Sequence, residues 1–137
     1  IYTLSLHDAL PILVDAVFGD MLELGGSSQA EHEKLGRMCD PNLLSWVVVV
    51  GVAATQYLAP AARSTGCQVH VARNAIEAGE FVRSIIEPGT VVLVKGSQNE
   101  IFLEECVKVL CDMTEDAELV RQSDKWLAIK DKYFQQF

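Results

Sequence analysis

The sequence predicts an open, mostly parallel α/β sheet with helices on both faces. Three observations carry that expectation. WVVVV at Trp46–Val50 is apolar and β-branched on both sides of a strand, so it needs cover above and below. Apolar runs of strand length alternate four times with stretches of helical character. Gly, Pro and Asn mark the junctions, at connection lengths typical of βαβ units.

Leu13–Phe18 is the first strand, apolar except for Asp15 and ended by Gly19. The loop Gly19-Asp20-Met21-Leu22-Glu23-Leu24-Gly25 then carries Asp20 and Glu23 to the carboxyl-end rim of the sheet, where ligands of open α/β folds gather. Ser27 or Ser28 caps a first helix that begins near Gln29, with Glu31 at capping-box spacing from Ser28. Its apolar positions are few (Ala30, Leu35, Met38, Cys39), so most of its surface is wet, and Asp40-Pro41-Asn42 stops it. After the second strand and Gly51 comes a helical stretch, Ala54–Thr65, with Pro60 either kinking it or sitting in a late first turn. Gln68–Ala72 is the third strand, and Asn74 caps a helix at Ala75–Ile86. Beyond the Pro88-Gly89 turn, Thr90–Val94 is the fourth strand, Lys95-Gly96-Ser97 leaves its end, and Ile101–Met113 is the fourth helix. A more charged helix, Asp116–Gln135, follows, with Leu119, Val120, Trp126, Ile129 and Phe134 as its candidate buried positions.

Composition narrows the partners. The chain has 137 residues, half of them hydrophobic, enough for one domain with a packed core. Its net charge is −8 and it has no Lys/Arg cluster, which argues against nucleic acid and against an anionic membrane surface. No apolar run is long enough to span a bilayer. Cys39, Cys67, Cys106 and Cys111 match no zinc spacing and are expected to be buried thiols in a reducing cytosol, with Cys106 and Cys111 on different faces of one helix.

Two strand ends carry candidate chemistry. Asp20 and Glu23 could accept hydrogen bonds from ribose hydroxyls or hold a cationic group; the plain alternative is a capped turn and a solvated glutamate, and no dinucleotide-binding G-x-G-x-x-G is present. Lys95, Gly96 and Ser97 offer an ammonium, a pliant backbone and a hydroxyl, a set suited to a carboxylate or phosphate, although without a Walker A pattern. His32 lies between two acids in Glu31-His32-Glu33, which favours its protonated form; a polar tether between helix and rim is one reading, and a solvated histidine is the expectation. His70, inside a strand, is a face residue without chemistry. Glu104 and Glu105 at the start of the fourth helix complement its macrodipole, and nothing more is expected of them.

Taken together, FGDMLELG, the following Ser27…His32…Gly36 pattern and VLVKGSQNEIFLEE resemble the carboxyl-terminal domain of Mur ligases, in order and at fitting intervals from about Leu13 to Leu110. The resemblance implies a Rossmann-like third domain that closes onto a central ATPase domain. It is nearest to the branch that adds D-alanyl-D-alanine to UDP-N-acetylmuramoyl-tripeptide in cytoplasmic, bacterial peptidoglycan synthesis. Other ligases of the superfamily, of folylpolyglutamate or cyanophycin type, and a stand-alone α/β binding module are the rival readings. By the resemblance, Asp20 approaches the nucleotide, Lys95 and Ser97 line the closed active site, Glu23, Gly96 and His32 support them, and Gly36 belongs to the motif of the first helix. ATP and Mg2+ would be bound mainly by the central domain, no metal ligand is expected here, and a fragment lacking the amino-terminal and central domains is expected to be inactive alone.

The implied organisation is a domain over residues 13–113 and a helical extension over 114–137. Ile1–Ile12 lacks the basic and small-residue features of a secretory signal. It resembles, along its whole length, one reading frame of a widely used short-read sequencing adapter. It is therefore expected to be an artefact standing before a truncated first strand, and His7 and Asp8 are not expected to form a catalytic pair.

Overall fold

The structure, a computed structural model, describes residues 12–111 and 119–137. The adapter-like segment thus lies outside the described residues except for Ile12, as do Asp116 and the first turn expected of the last helix. Strand β1 (Val14–Gly19) leads through a 3-10 turn (Gly25–Ser27) to α1 (Ser28–Met38) and β2 (Trp46–Val50). A π-helical segment (Ala54–Leu58) runs into α2 (Ala59–Ser64), followed by β3 (Val69–Ala72), α3 (Ala75–Ile85), β4 (Val91–Lys95), α4 (Glu104–Cys111) and α5 (Asp124–Phe134).

All three strand pairings are parallel, in the order β3-β2-β1-β4. The chain winds outward from β1 to β3, then returns to the other side of β1, so the winding reverses between β1 and β4. In open α/β sheets that reversal opens a crevice at the carboxyl ends of the two strands. Alternation along β1 and β2 builds two cores. Ala16, Phe18, Val47 and Val49 pack with Leu58, Ala59 and Ala62 on one face. Val17, Val48 and Val50 pack with Ala75, Ala78, Val82 and Cys106 on the other. His70 is a packing residue, stacked on Phe81 with ring centroids 3.7 Å apart.

Local chemistry explains the departures from expectation. Pro60 is the second residue of α2, and the wider π segment before it gives the ring room: Ala59 N–H donates to the Ala54 carbonyl, five residues back. The expected capping box of Ser28 and Glu31 does not form: Ser28 is already the first residue of α1, with its Oγ 3.4 Å from His32 Nδ1, and the hydroxyl of Ser27, in the N-cap place, donates to the Leu24 carbonyl. Met38 and Ala30 are exposed, and the helix is buried instead at His32 and Gly36. A Cβ at Gly36 would lie 2.5 Å from the Leu58 carbonyl oxygen, so this glycine lets α1 settle directly on the helical segment after β2. Asn74 caps α3 as expected, accepting from Glu77 N–H at 2.9 Å. Asp15 is buried; one carboxylate oxygen has no hydrogen-bond partner, and burial pushes its pKa up against a backbone hydrogen bond from Trp46. Cys39, Cys67 and Cys106 are buried free thiols, but Cys111 is exposed, contrary to expectation.

The carboxyl-terminal part departs most. Glu100 and Phe102 adopt left-handed backbone, with φ of 68° and 52°, so α4 starts at Glu104 rather than Ile101. The last helix begins at Asp124, after Ser123, and not at Asp116. Val120 and Ile129 are exposed, and the buried side is formed around Lys130. Glu104 and Glu105 do more than face a helix dipole. Arg121 binds Glu104 through both carboxylate oxygens at 2.8 and 2.9 Å, and Lys130 lies 3.1 Å from Glu104 and also pairs with Glu105. Burial pushes the Glu104 carboxyl up, but the hydrogen bonds from Arg121 and Lys130 prevail and hold it below its ordinary value.

Candidate functional site

The crevice between β1 and β4 is a cleft of about 540 Å³ whose walls include Gly19, Met21, Leu22, Glu23, Leu35 and the segment from Lys95 to Asn99. Its rear wall is the loop after β1, and three successive amides hold that loop. Asp20 N–H donates to the Val50 carbonyl of β2 at 3.1 Å. Met21 N–H donates to His32 Nε2 on α1 at 3.0 Å. Leu22 N–H donates to Ser97 Oγ, beyond β4, at 2.7 Å, and Ser97 N–H returns to the Asp20 carbonyl at 3.2 Å. A buried amide left without a partner costs about 1–3 kcal/mol, so this lacing gives the wall one conformation.

On the far side of the same wall lies a second cleft, of about 480 Å³, over the carboxyl ends of β2 and β3. Asp20 faces this one. Its carboxylate is nearly buried, accepts from Ala54 N–H at 2.7 Å and lies over Gly51, where a Cβ would meet the carboxylate at 2.4–2.6 Å. Gly51 has φ of 112°, a conformation that side chains resist. Tyr133 and Phe137, from α5 and its end, also line this second cleft. Burial, and then the charges of Asp20 and Glu100, push the Tyr133 hydroxyl pKa up.

The expected residues therefore divide. Glu23, Lys95, Gly96 and Ser97 meet on the first cleft. Lys95 is the last residue of β4, exposed, its ammonium with no hydrogen bond or ion pair among the described residues. Beside it, Gly96 lets the strand end approach Gly19, to whose Cα an added Cβ would come within 3.2 Å. Glu23 is exposed, with a φ of 64° that turns the chain toward α1. Asp20 is placed on the neighbouring cleft rather than beside Lys95. His32 is not solvated: it is fully buried behind the wall, and its ring nitrogens meet a donor and an acceptor. The arrangement offers an unpaired cation to an anionic group in one cleft, and a carboxylate to a hydroxyl or cationic group in the other.

Sequence reasoning missed Tyr133, Phe137, Arg121 and Lys130. A signal for the first two existed: Trp126, Lys130, Tyr133 and Phe137 recur at helical spacing, and the structure seats the first three against Phe102, with Phe137 against Tyr133. Nothing in the sequence announced Arg121, which reaches Glu104 from an irregular segment with φ of 56°. Among the described residues no group of three or more His, Cys, Asp or Glu is placed to hold a metal ion. Nor does any described helix have the length and apolarity to cross a membrane.

Comparison with known proteins agrees with this geometry. Residues 9–98 match the family described as Mur ligase, glutamate ligase domain. A UDP-N-acetylmuramoyl-tripeptide–D-alanyl-D-alanine ligase of Mycobacterium leprae (strain TN) is 34% identical over 88 residues, which cover 61% of this chain and 17% of that protein. A crystal structure of MurF from Acinetobacter baumannii superimposes with a TM-score of 0.61 at 26% identity, covering 79% of this chain and 24% of that one. The chain thus spans less than a quarter of the length of either relative. A Rossmann-like parallel sheet, two clefts at its carboxyl-end rim and a family match over most of the sequence lead to one conclusion: this chain belongs to the Mur ligase family, as its carboxyl-terminal, glutamate ligase domain.

Proposed function

We propose that the chain is the third domain of a bacterial, cytoplasmic ligase that joins D-alanyl-D-alanine to UDP-N-acetylmuramoyl-tripeptide in peptidoglycan synthesis. The observation that carries this reading is the unpaired Lys95 ammonium at the mouth of the switch-point cleft, in a chain 34% identical to a ligase of that name over 88 residues. Mur ligases are ATP-dependent. In the proposed reaction the tripeptide carboxylate takes the terminal phosphoryl group of ATP and ADP leaves; the dipeptide amine then attacks the acyl carbon, loses a proton, and inorganic phosphate departs.

Within that reaction this domain closes over the reacting groups and keeps water from the acyl phosphate. Lys95 pairs with an anionic group brought into the first cleft, a phosphate or the carboxylate end of the dipeptide. Ser97 and Gly96 fix the strand end that carries it, and Glu23 borders the same opening. From the second cleft, Asp20 accepts from a nucleotide hydroxyl or holds an amine. Mg2+ and most of the ATP contacts fall to the central domain, in cis. Residues 13–113 are the domain proper and 114–137 its extension, with Ile1–Ile12 as foreign sequence.

The test is phosphate release. The purified chain with ATP, Mg2+ and both peptide substrates should release none above background, whereas a protein carrying all three domains should turn over. Sustained turnover by this chain alone would sink the proposal. In the complete enzyme, Lys95→Ala should lower kcat by about a hundredfold, the scale at which an oriented polar contact to developing charge acts. Asp20→Asn should chiefly raise the KM for ATP; a defect confined to the dipeptide would reassign the second cleft.

A further inference from the structure

His32 has no role in the chemistry above, yet of the two described histidines it is the one with no exposed surface, and it touches the wall between the two clefts. Its tautomer follows from its partners. Met21 N–H can only donate, so Nε2 must carry the lone pair; the Ser28 carbonyl, 2.7 Å from Nδ1, can only accept, so Nδ1 carries the proton. The ring is neutral in this arrangement, and the Asp20 carboxylate 4.0 Å from Nε2 is a neighbour and not an ion-pair partner. That carboxylate is already engaged by Ala54 N–H.

From this geometry we infer that His32 is a positioning residue: its neutral imidazole fixes the Met21–Glu23 segment as the partition between the two clefts. The inference rests on the clefts being the ligand sites proposed above. A fully buried ring touches no ligand, so His32 acts through the segment it holds. Of the three amides that lace the partition, Asp20 N–H is bound by sheet backbone and Leu22 N–H by the loop after β4. Met21 N–H alone is bound from α1, and it lies between two residues that line the clefts: Asp20 the second, Leu22 both. Gly36, one turn further along α1, sets the depth of the helix and so lets the ring reach the amide. The intervals from Ser28 and His32 to Gly36 thus describe one device, which fixes the tautomer, supplies the acceptor and seats the helix.

Two measurements decide it. In the 137-residue chain, labelled with nitrogen-15, a scalar coupling across the Met21 N–H···Nε2 hydrogen bond is expected, together with ring nitrogen shifts of the Nδ1–H form; the opposite tautomer, or no coupling, overturns the inference. In the three-domain enzyme, His32→Leu keeps bulk but removes the acceptor, and His32→Gln returns an acceptor near the place of Nε2. With both assayed well below their melting temperatures, His32→Leu should lower kcat/KM by about tenfold to a hundredfold, the cost of a misplaced binding group, and His32→Gln should recover most of it. Wild-type kcat and KM in His32→Leu would reduce the residue to packing, and equal loss in both variants would assign the effect to ring shape. If the wild-type enzyme does not use these substrates, the functional proposal fails, not this one. Faster amide exchange over Met21–Glu23 in His32→Leu but not in His32→Gln then upholds positioning, and its absence overturns it.

Discussion

The loops that leave β1 and β4 lie side by side and treat their charged residues in opposite ways. Asp20 sits a residue beyond β1, nearly buried, its carboxylate over Gly51 and bonded to Ala54 N–H. Lys95 ends β4 and stands in the open, without a bonded partner among the described residues. A charge fixed by its own fold stabilises the fold first and meets a ligand only through what remains accessible. A charge left unpaired contributes little to folding and keeps its full interaction for a partner. On this comparison Lys95 is the better probe of function and Asp20 of architecture.

The comparison can be broken most severely away from the rim. Lys130→Ala removes a buried cation from between Glu104 and Glu105, and should cost about 3 kcal/mol or more, measured by denaturant unfolding. Acid should do part of the same work. The Glu104 carboxyl is held below its ordinary 4.5, so its contribution is complete above that pH and is lost as pH falls through the lower folded value. An Arg121→Ala variant should show less of this acid sensitivity. Gly51→Ala attacks the Asp20 side directly: the added Cβ meets the carboxylate in a backbone conformation that only glycine adopts freely. It should cost about 2–3 kcal/mol, with a lower Tm as the readout.

Asp20→Asn keeps the shape but removes the charge over the first turn of the helical run after β2, at about 1 kcal/mol. Lys95→Ala should change stability by no more than about 0.5 kcal/mol while lowering turnover in the complete enzyme, and a large loss of stability would erase the contrast.

The same contrast explains what the sequence made legible. β2 was readable to the residue because five apolar positions with a Gly after them state their own environment. Asn74 was readable because its cap acts within three residues. His32 was not: its neighbours in sequence are acids that suggest a protonated, wet ring, while its neighbours in space are an amide donor and a carbonyl. Glu104 and Glu105 looked sufficient as dipole partners because Arg121 and Lys130 lie 17 and 25 residues away from the acids they bind. The start of α4 was misplaced because left-handed backbone at Phe102 has no signature in a bulky apolar residue. Side chains with partners on another element escape local patterns; capped ends and apolar strands do not.

One consequence concerns what the rim refuses. The turn that opens the helical run at residues 52–64 points amide donors outward beside Gly51, the place where a fold of this kind ordinarily welcomes phosphate. Here Asp20 lies across that turn and fills it with the chain's own negative charge. Arg73, which lines the same cleft, is paired with Glu77, while Lys95 on the other side of the partition has no such partner among the described residues. The wall between the clefts therefore separates a carboxylate that the fold has already engaged from a cation left without a partner among the described residues.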